Sequence, residues 1–241
     1  MPEKRKIEVW SHRGVRTESA ENTLPAFIKA IETGVDGIEL DVQRSLDGEL
    51  VVTHDENLLR VAGKDIFVNQ SNWSQLKGVN VSMTHGGIER MPLLKEVLEL
   101  LEPTNLRLNI ELKNGVFDYP DLEADVINLT SQSKMEERIL YSSFNTESVF
   151  KLTKLTDPDR CALLLAYPLT RPVWLTRNLG LCALNPHYRI LKIPGYTSLC
   201  RRNNIQVVTW TVNEKKDIAQ MIRKKPHVII SDYPALVLSM L

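Results

Sequence analysis

Cysteine is scarce in this chain: Cys161, Cys182 and Cys200 lie far apart, and no C-x-x-C pair occurs. That number and spacing exclude a disulfide framework and a thiolate zinc site, and they fit a reducing compartment. Charge of one sign is missing too, because 30 acidic residues offset 30 basic ones. No whole-molecule field exists to gather nucleic acid or an anionic membrane, so a charged ligand must be captured locally. Basic clusters at Lys4-Arg5-Lys6, Arg201-Arg202 and Arg223-Lys224-Lys225 do not change this. The first is read as a solvated terminus, and the last closes a predicted helix, where cations complement the macrodipole. Long hydrophobic runs are absent as well. The charged start passes straight into Ile7-Glu8-Val9-Trp10, and nothing approaches the roughly 20 apolar residues that a membrane span needs. A soluble, cytoplasmic protein with no transmembrane segment and no nucleic-acid partner is expected.

What is present is a regular alternation. Short β-rich runs at 7–10, 37–42, 50–53, 106–112, 138–142, 161–165, 181–184, 206–211 and 228–230 are separated by amphipathic helical stretches. Pro25 fits the first turn of a helix beginning near Leu24, and Pro92 before Leu93-Leu94 repeats the device. Alternation without a block of pure strand implies parallel β/α units, and about eight units plus one extra strand favour a TIM barrel over an open doubly wound sheet. With 43% hydrophobic residues, no linker and no fixed-period repeat, residues 1–241 are expected to form one domain. Residues 56–91 break the rhythm, with no convincing helix over a stretch far longer than a usual βα loop. Phe67, Trp73, Val79, Val81 and Met83 make this insertion after the second strand too apolar for a disordered linker.

Chemistry-bearing residues gather where apolar strands give out. Glu39 and Asp41 are two apart on a strand, so both leave one face while Leu40 and Val42 leave the other. Glu111 and Lys113 repeat the spacing. On barrel strands this set would converge at the C-terminal mouth, where such barrels keep their active sites. Three carboxylates in one partly desolvated site repel, and a cation removes the conflict. Oxygen ligands alone select a hard ion, so one Mg²⁺ or Ca²⁺ is expected rather than zinc. Each carboxylate could instead serve a salt bridge at a strand end, but two histidines argue for chemistry. His12 follows the first strand, and His54 follows Leu50-Val51-Val52-Thr53. Phosphodiester cleavage needs a base for the nucleophile and an acid for the leaving alkoxide, and imidazole serves either role near neutral pH. Arg13 can clamp phosphate oxygens and Lys113 can stabilise developing charge, while Gly14 permits a sharp turn. Glu21-Asn22-Thr23 reads as a helix start, with Asn22 or Thr23 as cap. His85, His187 and His227 are read as structural hydrogen-bonding residues.

The motifs Trp10-Ser11-His12-Arg13-Gly14, Glu21-Asn22-Thr23, Glu39-Leu40-Asp41, His54-Asp55 and Glu111-Leu112-Lys113 together resemble the glycerophosphodiester phosphodiesterase family. The likeness extends to Val207-Val208-Thr209-Trp210-Thr211-Val212-Asn213 and to Ile230-Ser231-Asp232-Tyr233-Pro234. The resemblance implies a metal-dependent hydrolysis of glycerophosphodiesters to sn-glycerol 3-phosphate and an alcohol. It implies that Glu39, Asp41 and Glu111 hold the ion, that His12 and His54 share acid and base duty, and that Trp210 lines the substrate pocket. Glu21, with Asn22 beside it, is implied to support the metal or orient a histidine, and residues 56–91 to form a small lid over the mouth. A cyclic phosphate formed by the glycerol hydroxyl is a further possibility within the resemblance. The chain departs from the family pattern at Lys225-Pro226-His227, at Ser231, and at Val61-Ala62 after Arg60, the last pair facing the substrate entrance.

Four other readings use the same residues. A lysophospholipase D would keep the scaffold and take lysophospholipids. A retaining glycosidase would use Glu39 and Glu111 but leave His12, His54, Asp41 and Lys113 without work. A metal-dependent amidohydrolase would want an H-x-H on the first strand. A non-catalytic phosphate-binding barrel would have lost a histidine or an acidic ligand, and none is lost.

Overall fold

The computed structural model describes residues 7–241, so the cluster Lys4-Arg5-Lys6 lies outside the described residues. Among the described residues nine strands follow in order: β1 (Glu8–His12), β2 (Gly37–Arg44), β3 (Leu50–Val52), β4 (Arg107–Leu112), β5 (Ile139–Ser143), β6 (Cys161–Leu165), β7 (Ala183–Pro186), β8 (Gln206–Thr209) and β9 (Val228–Ser231). All but β3 pair in parallel, and β1 bonds to both β2 and β9, which closes an eight-stranded ring. The extra strand β3 runs antiparallel along the outer end of β2, with Val42 opposite Val52. The TIM barrel expected from the alternation is therefore the fold.

Helices α1 (Leu24–Thr33), α4 (Leu94–Leu101), α5 (Leu122–Thr130), α6 (Thr146–Leu155), α7 (Pro172–Leu179), α8 (Tyr196–Arg202), α9 (Lys215–Lys224) and α10 (Pro234–Ser239) are interleaved with the barrel strands. Two short helices, α2 (Leu59–Ala62) and α3 (Trp73–Leu76), interrupt the insertion. Thr23 caps α1 by accepting from the Ala26 N–H, Pro25 lies in its first turn, and Gly34 ends it in the left-handed conformation. Pro92 behaves differently from Pro25. It stands two residues ahead of α4, and its carbonyl accepts the Val52 N–H at 2.9 Å, extending the edge of β3.

The two-residue period of each strand divides the core in two. Ile38, Leu40, Val42, Leu108, Ile110 and Leu112 point outward and are buried with Phe27, Leu94 and Leu98 from the helices. Trp10, Leu140, Ala162, Ala183, Val208, Val228 and Ile230 point inward and fill the barrel. Gly37 is required by this filling, because a Cβ there would lie 2.7 Å from the Trp10 indole nitrogen. One strand is shifted from its expected place. Residues 181–184 were the apolar run, but Gly180 takes the left-handed conformation and the Leu181 N–H returns to the Thr176 carbonyl, so the start of that run finishes α7 and β7 begins at Ala183.

The insertion has more order than its sequence suggests. Besides α2 and α3 it holds a 3-10 turn at Val68–Gln70, and Leu58, Val68, Leu76, Val79, Val81 and Met91 form an apolar cluster against Val51 and Ala20. Helices of four residues span about one turn, too short for apolar periodicity to reveal them.

Candidate active site

Strand register assembles the site. Parallel pairing sets His12 level with Glu39, and Asp41 level with Glu111, at the carboxyl ends of adjacent strands. One oxygen from each of Glu39, Asp41 and Glu111 lies within 4.8 Å of the other two, and all three residues are buried. Against these stand two cations. Arg13 Nε is 3.1 Å from Asp41 Oδ2, and Lys113 Nζ is 3.0 Å from Glu111 Oε1. The electrostatic outcome is uneven. Burial and the neighbouring Asp41 charge push Glu39 well above the ordinary carboxylate range, and burial and Asp41 also raise Glu111 although Lys113 opposes them. Burial acts against ionisation of Asp41 as well, but Arg13, His54 and Lys113 outweigh it and hold that carboxyl down at about 2.

This donor set fits a divalent cation. Asn22 Nδ2 donates to Asp41 Oδ2 at 2.9 Å, whereas the buried Asp41 Oδ1 has no hydrogen-bond partner among the described residues. A buried acceptor without a donor is costly in an apo fold and is what an oxygen-seeking ion would engage. Asn22 therefore faces the site, with φ of 57°, and Thr23 does the helix capping, which separates two roles that the sequence left joined.

Both histidines are held by carboxylates. His12 Nδ1 donates to Asp232 Oδ1 at 2.6 Å and His54 Nδ1 donates to Asp55 Oδ1 at 2.6 Å, so each ring keeps Nε2 for other partners. Burial, with Arg13 beside it, lowers the His12 pKa despite the Asp232 bond, and so favours the neutral imidazole. Asp232 is held in turn by Asn213, whose Nδ2 donates to its second oxygen at 2.7 Å. Arg13 adopts φ of 56° and its backbone N–H reaches the Glu39 side chain at 3.2 Å. Gly14 follows at φ of +80°, and a Cβ there would come within 2.6 Å of the Ala26 Cβ, so glycine is required at this turn.

Glu21 is a meeting point for guanidinium groups. It accepts from Arg13 at 3.0 Å and from both terminal nitrogens of Arg60, at 3.1 and 2.5 Å, and it forms an ion pair with Arg16 at 3.0 Å. Burial would raise its pKa, but bonding to Arg60, with Arg13 and Arg16, lowers it overall. Its carboxylate is not one of the three that cluster for an ion.

The cavity at the carboxylates has a volume of about 210 Å³ and is lined by the polar residues His12, Arg13, Glu39, His54, Asn109, Glu111 and Thr211 and by the apolar residues Phe144, Leu164, Trp210 and Ile230. A larger groove of about 460 Å³ runs past Pro168, Ile193 and Leu199, but it holds neither the carboxylates nor the histidines, so chemistry and not volume selects the site. Trp210 lines the cavity with its indole N–H donated to the Asn185 carbonyl at 2.6 Å, and it meets Phe144 edge-on at 5.5 Å. The other histidines are engaged elsewhere: His85 with the Arg16 carbonyl, His187 at the start of a 3-10 turn, and His227 with the Val207 N–H. Reading the sequence placed Asp55, Asp232 and Asn213 in motifs without giving them a role, and it missed Asn109 and Phe144 altogether. The His54-Asp55 pair carried a signal in adjacency, whereas Asp232 lies 220 residues from His12 and is brought to it only by the closing pair of strands.

Residues 12–236 match the sequence profile of the glycerophosphoryl diester phosphodiesterase family. The chain is 34% identical over 238 residues to a glycerophosphodiester phosphodiesterase of Caldanaerobacter subterraneus, covering 98% of each chain. It is 33% identical over 153 residues to a lysophospholipase D of Mus musculus, spanning 60% of this chain and 47% of that one. The crystal structure of a glycerophosphodiester phosphodiesterase from Agrobacterium tumefaciens superposes with a TM-score of 0.85 at 24% identity, covering 97% of this chain and 99% of the other.

Proposed function

The chain belongs to the glycerophosphoryl diester phosphodiesterase family, and we propose that it is a metal-dependent enzyme cleaving glycerophosphodiesters to sn-glycerol 3-phosphate and an alcohol. The observation that carries this reading is one cavity that brings Glu39 and Glu111, two members of a buried carboxylate triad, together with two carboxylate-held histidines. Glu39, Asp41 and Glu111 would hold one Mg²⁺ or Ca²⁺, whose chemistry is to draw negative charge off a phosphate oxygen and lower the barrier to attack. Arg13 and Lys113, which neutralise Asp41 and Glu111 in this structure, are placed to turn their N–H groups onto phosphate oxygens. Asn22 keeps Asp41 in place, and Glu21 keeps Arg13 in place.

His12 and His54 divide the proton transfers. Each has Nδ1 fixed by a carboxylate, so Nε2 is the atom that accepts a proton from the attacking hydroxyl or returns one to the leaving alkoxide. Burial favours the neutral His12 ring, the form that accepts a proton. The attacking hydroxyl is either water or the 2-hydroxyl of the substrate's own glycerol. Trp210 and Phe144 would pack on the leaving group or the glycerol carbons.

A lysophospholipase D activity is the second reading, supported by the apolar wall of Phe144, Leu164, Trp210 and Ile230 and by the likeness to the mouse relative. Residues 56–91 would act as a lid beside this wall. The test is to incubate the purified protein with Mg²⁺ or Ca²⁺ and glycerophosphocholine, glycerophosphoethanolamine, glycerophosphoinositol or lysophosphatidylcholine, and to identify the products. Release of sn-glycerol 3-phosphate from the water-soluble diesters is expected. Release of choline from lysophosphatidylcholine alone would move the assignment to the second reading.

A further inference from the structure

Arg60 belongs to α2, inside the insertion, yet its guanidinium ends at the proton-transfer machinery. Nε donates to Asp55 Oδ2 at 2.6 Å, while the two terminal nitrogens donate to the two oxygens of Glu21. The other Asp55 oxygen is the one that fixes His54 Nδ1. One planar fork thus joins the insertion, the loop after β1 and the loop after β3 through three charge-assisted bonds. We propose that Arg60 is a positioning residue for His54: it locks the Asp55 carboxylate, and it makes the orientation of His54 depend on the insertion being docked. The inference rests on the reading of His54 as a proton-transfer group.

Two comparisons within the molecule support the assignment. The Arg60 side chain is 48% exposed, and ion pairs at such sites contribute little to folding, so a fully used fork is poorly explained by stability alone. The two histidines also differ in what anchors their carboxylates. His12 is 12% exposed and its Asp232 is pinned by Asn213, a residue of the barrel mouth. His54 is 32% exposed at the rim, and Arg60 is what pins Asp55 there. A partly exposed imidazole with an unpinned carboxylate would sample many orientations, and partners of this kind typically hold about 10- to 100-fold in activity. Lysine cannot replace the fork, because an ammonium is a point charge without the planar geometry that bridges two carboxylates.

The test uses the ion-loaded full chain and the glycerophosphodiester it turns over best, with Arg60→Ala, Arg60→Lys, His54→Ala and, as a surface control, Arg44→Ala. Arg60→Ala is expected to lower kcat by about 10- to 100-fold with KM changed little, and Arg60→Lys to stay close to it. Millimolar methylguanidinium should restore part of the activity of Arg60→Ala and none of that of His54→Ala. In ¹⁵N spectra the His54 ring should lose its fixed Nδ1–H tautomer in Arg60→Ala, while His12 keeps its own. Should Arg60→Ala fail to fold, Arg60→Gln carries the same measurements. An unchanged kcat, a rise in KM alone or a loss that methylguanidinium does not touch would overturn the inference. If His54→Ala itself keeps wild-type kcat, the reading of His54 falls first. If His54→Ala is inactive and Arg60→Ala is unimpaired, the inference alone falls.

Discussion

Glu39, Asp41 and Glu111 face the same repulsion and answer it differently. Asp41 is held ionised by Arg13 and Lys113, so the burden of neutralisation falls on Glu39, which burial and Asp41 push toward the protonated form. The consequences for pH have definite signs. A carboxyl whose pKa is raised by folding keeps a proton that the unfolded chain gives up, so its contribution to stability falls as pH rises from the ordinary carboxylate range through the raised value. In the presence of EDTA, Glu39→Gln should therefore be more stable than the wild type at pH 7, by the roughly 2–4 °C that 1 kcal/mol represents in a domain of this size. The advantage should vanish below the ordinary glutamate pKa, where wild-type Glu39 is also neutral. Saturating Mg²⁺ or Ca²⁺ should reverse the order at pH 7, because the wild type binds the ion and the variant binds it weakly. Calorimetric melting of both proteins over pH checks this, and an equal melting temperature in EDTA at every pH would contradict the electrostatic account.

At the scale of elements, the barrel strands were legible because their two-residue period placed Glu39 with Asp41 and Glu111 with Lys113 on one face, and apolar residues on the other. Register was not legible. That His12 stands level with Glu39, and Asp41 with Glu111, depends on pairing between strands far apart in sequence. The same limit hid Asp232, since nothing near it in the chain points to His12. The four-residue helices α2 and α3 escaped because they are shorter than the pattern that announces a helix, and with them went the role of Arg60. The insertion packs its own apolar cluster and leaves Met83 and Ile88 exposed, at 64% and 74%. In the proposed role of a lid it should discriminate between substrates that share a phosphate but differ in leaving group. Replacing residues 64–90 by a short Gly/Ser loop keeps Arg60, and it should narrow the ratio of kcat/KM between small glycerophosphodiesters and lysophospholipids. Hydrolysis of a small activated diester should persist. A folded variant with the full substrate ranking would shift specificity to Trp210 and Phe144.

At the scale of the whole molecule, formal neutrality and a concentrated site belong together. A chain with no net field cannot steer an anionic diester from afar, so recognition must come from the few cations at one barrel mouth and from the proposed ion beside them. The barrel supplies eight strand ends, and this site draws on those of β1, β2, β4, β5, β6, β8 and β9, with His54 from the loop after the outer strand β3. The fold class and the charged motifs could be read from the sequence, whereas the network that orients them required the closed ring. The central claim is that an ion held by Glu39, Asp41 and Glu111 is needed for cleavage. The direct measurement is turnover of glycerophosphocholine before chelation, after EDTA and exhaustive dialysis, and after Mg²⁺ or Ca²⁺ is restored, with Glu111→Gln carried in parallel. The account predicts loss on chelation, recovery on restoring the ion, and no recovery in Glu111→Gln, which should still fold. Full turnover by the dialysed wild type would contradict it.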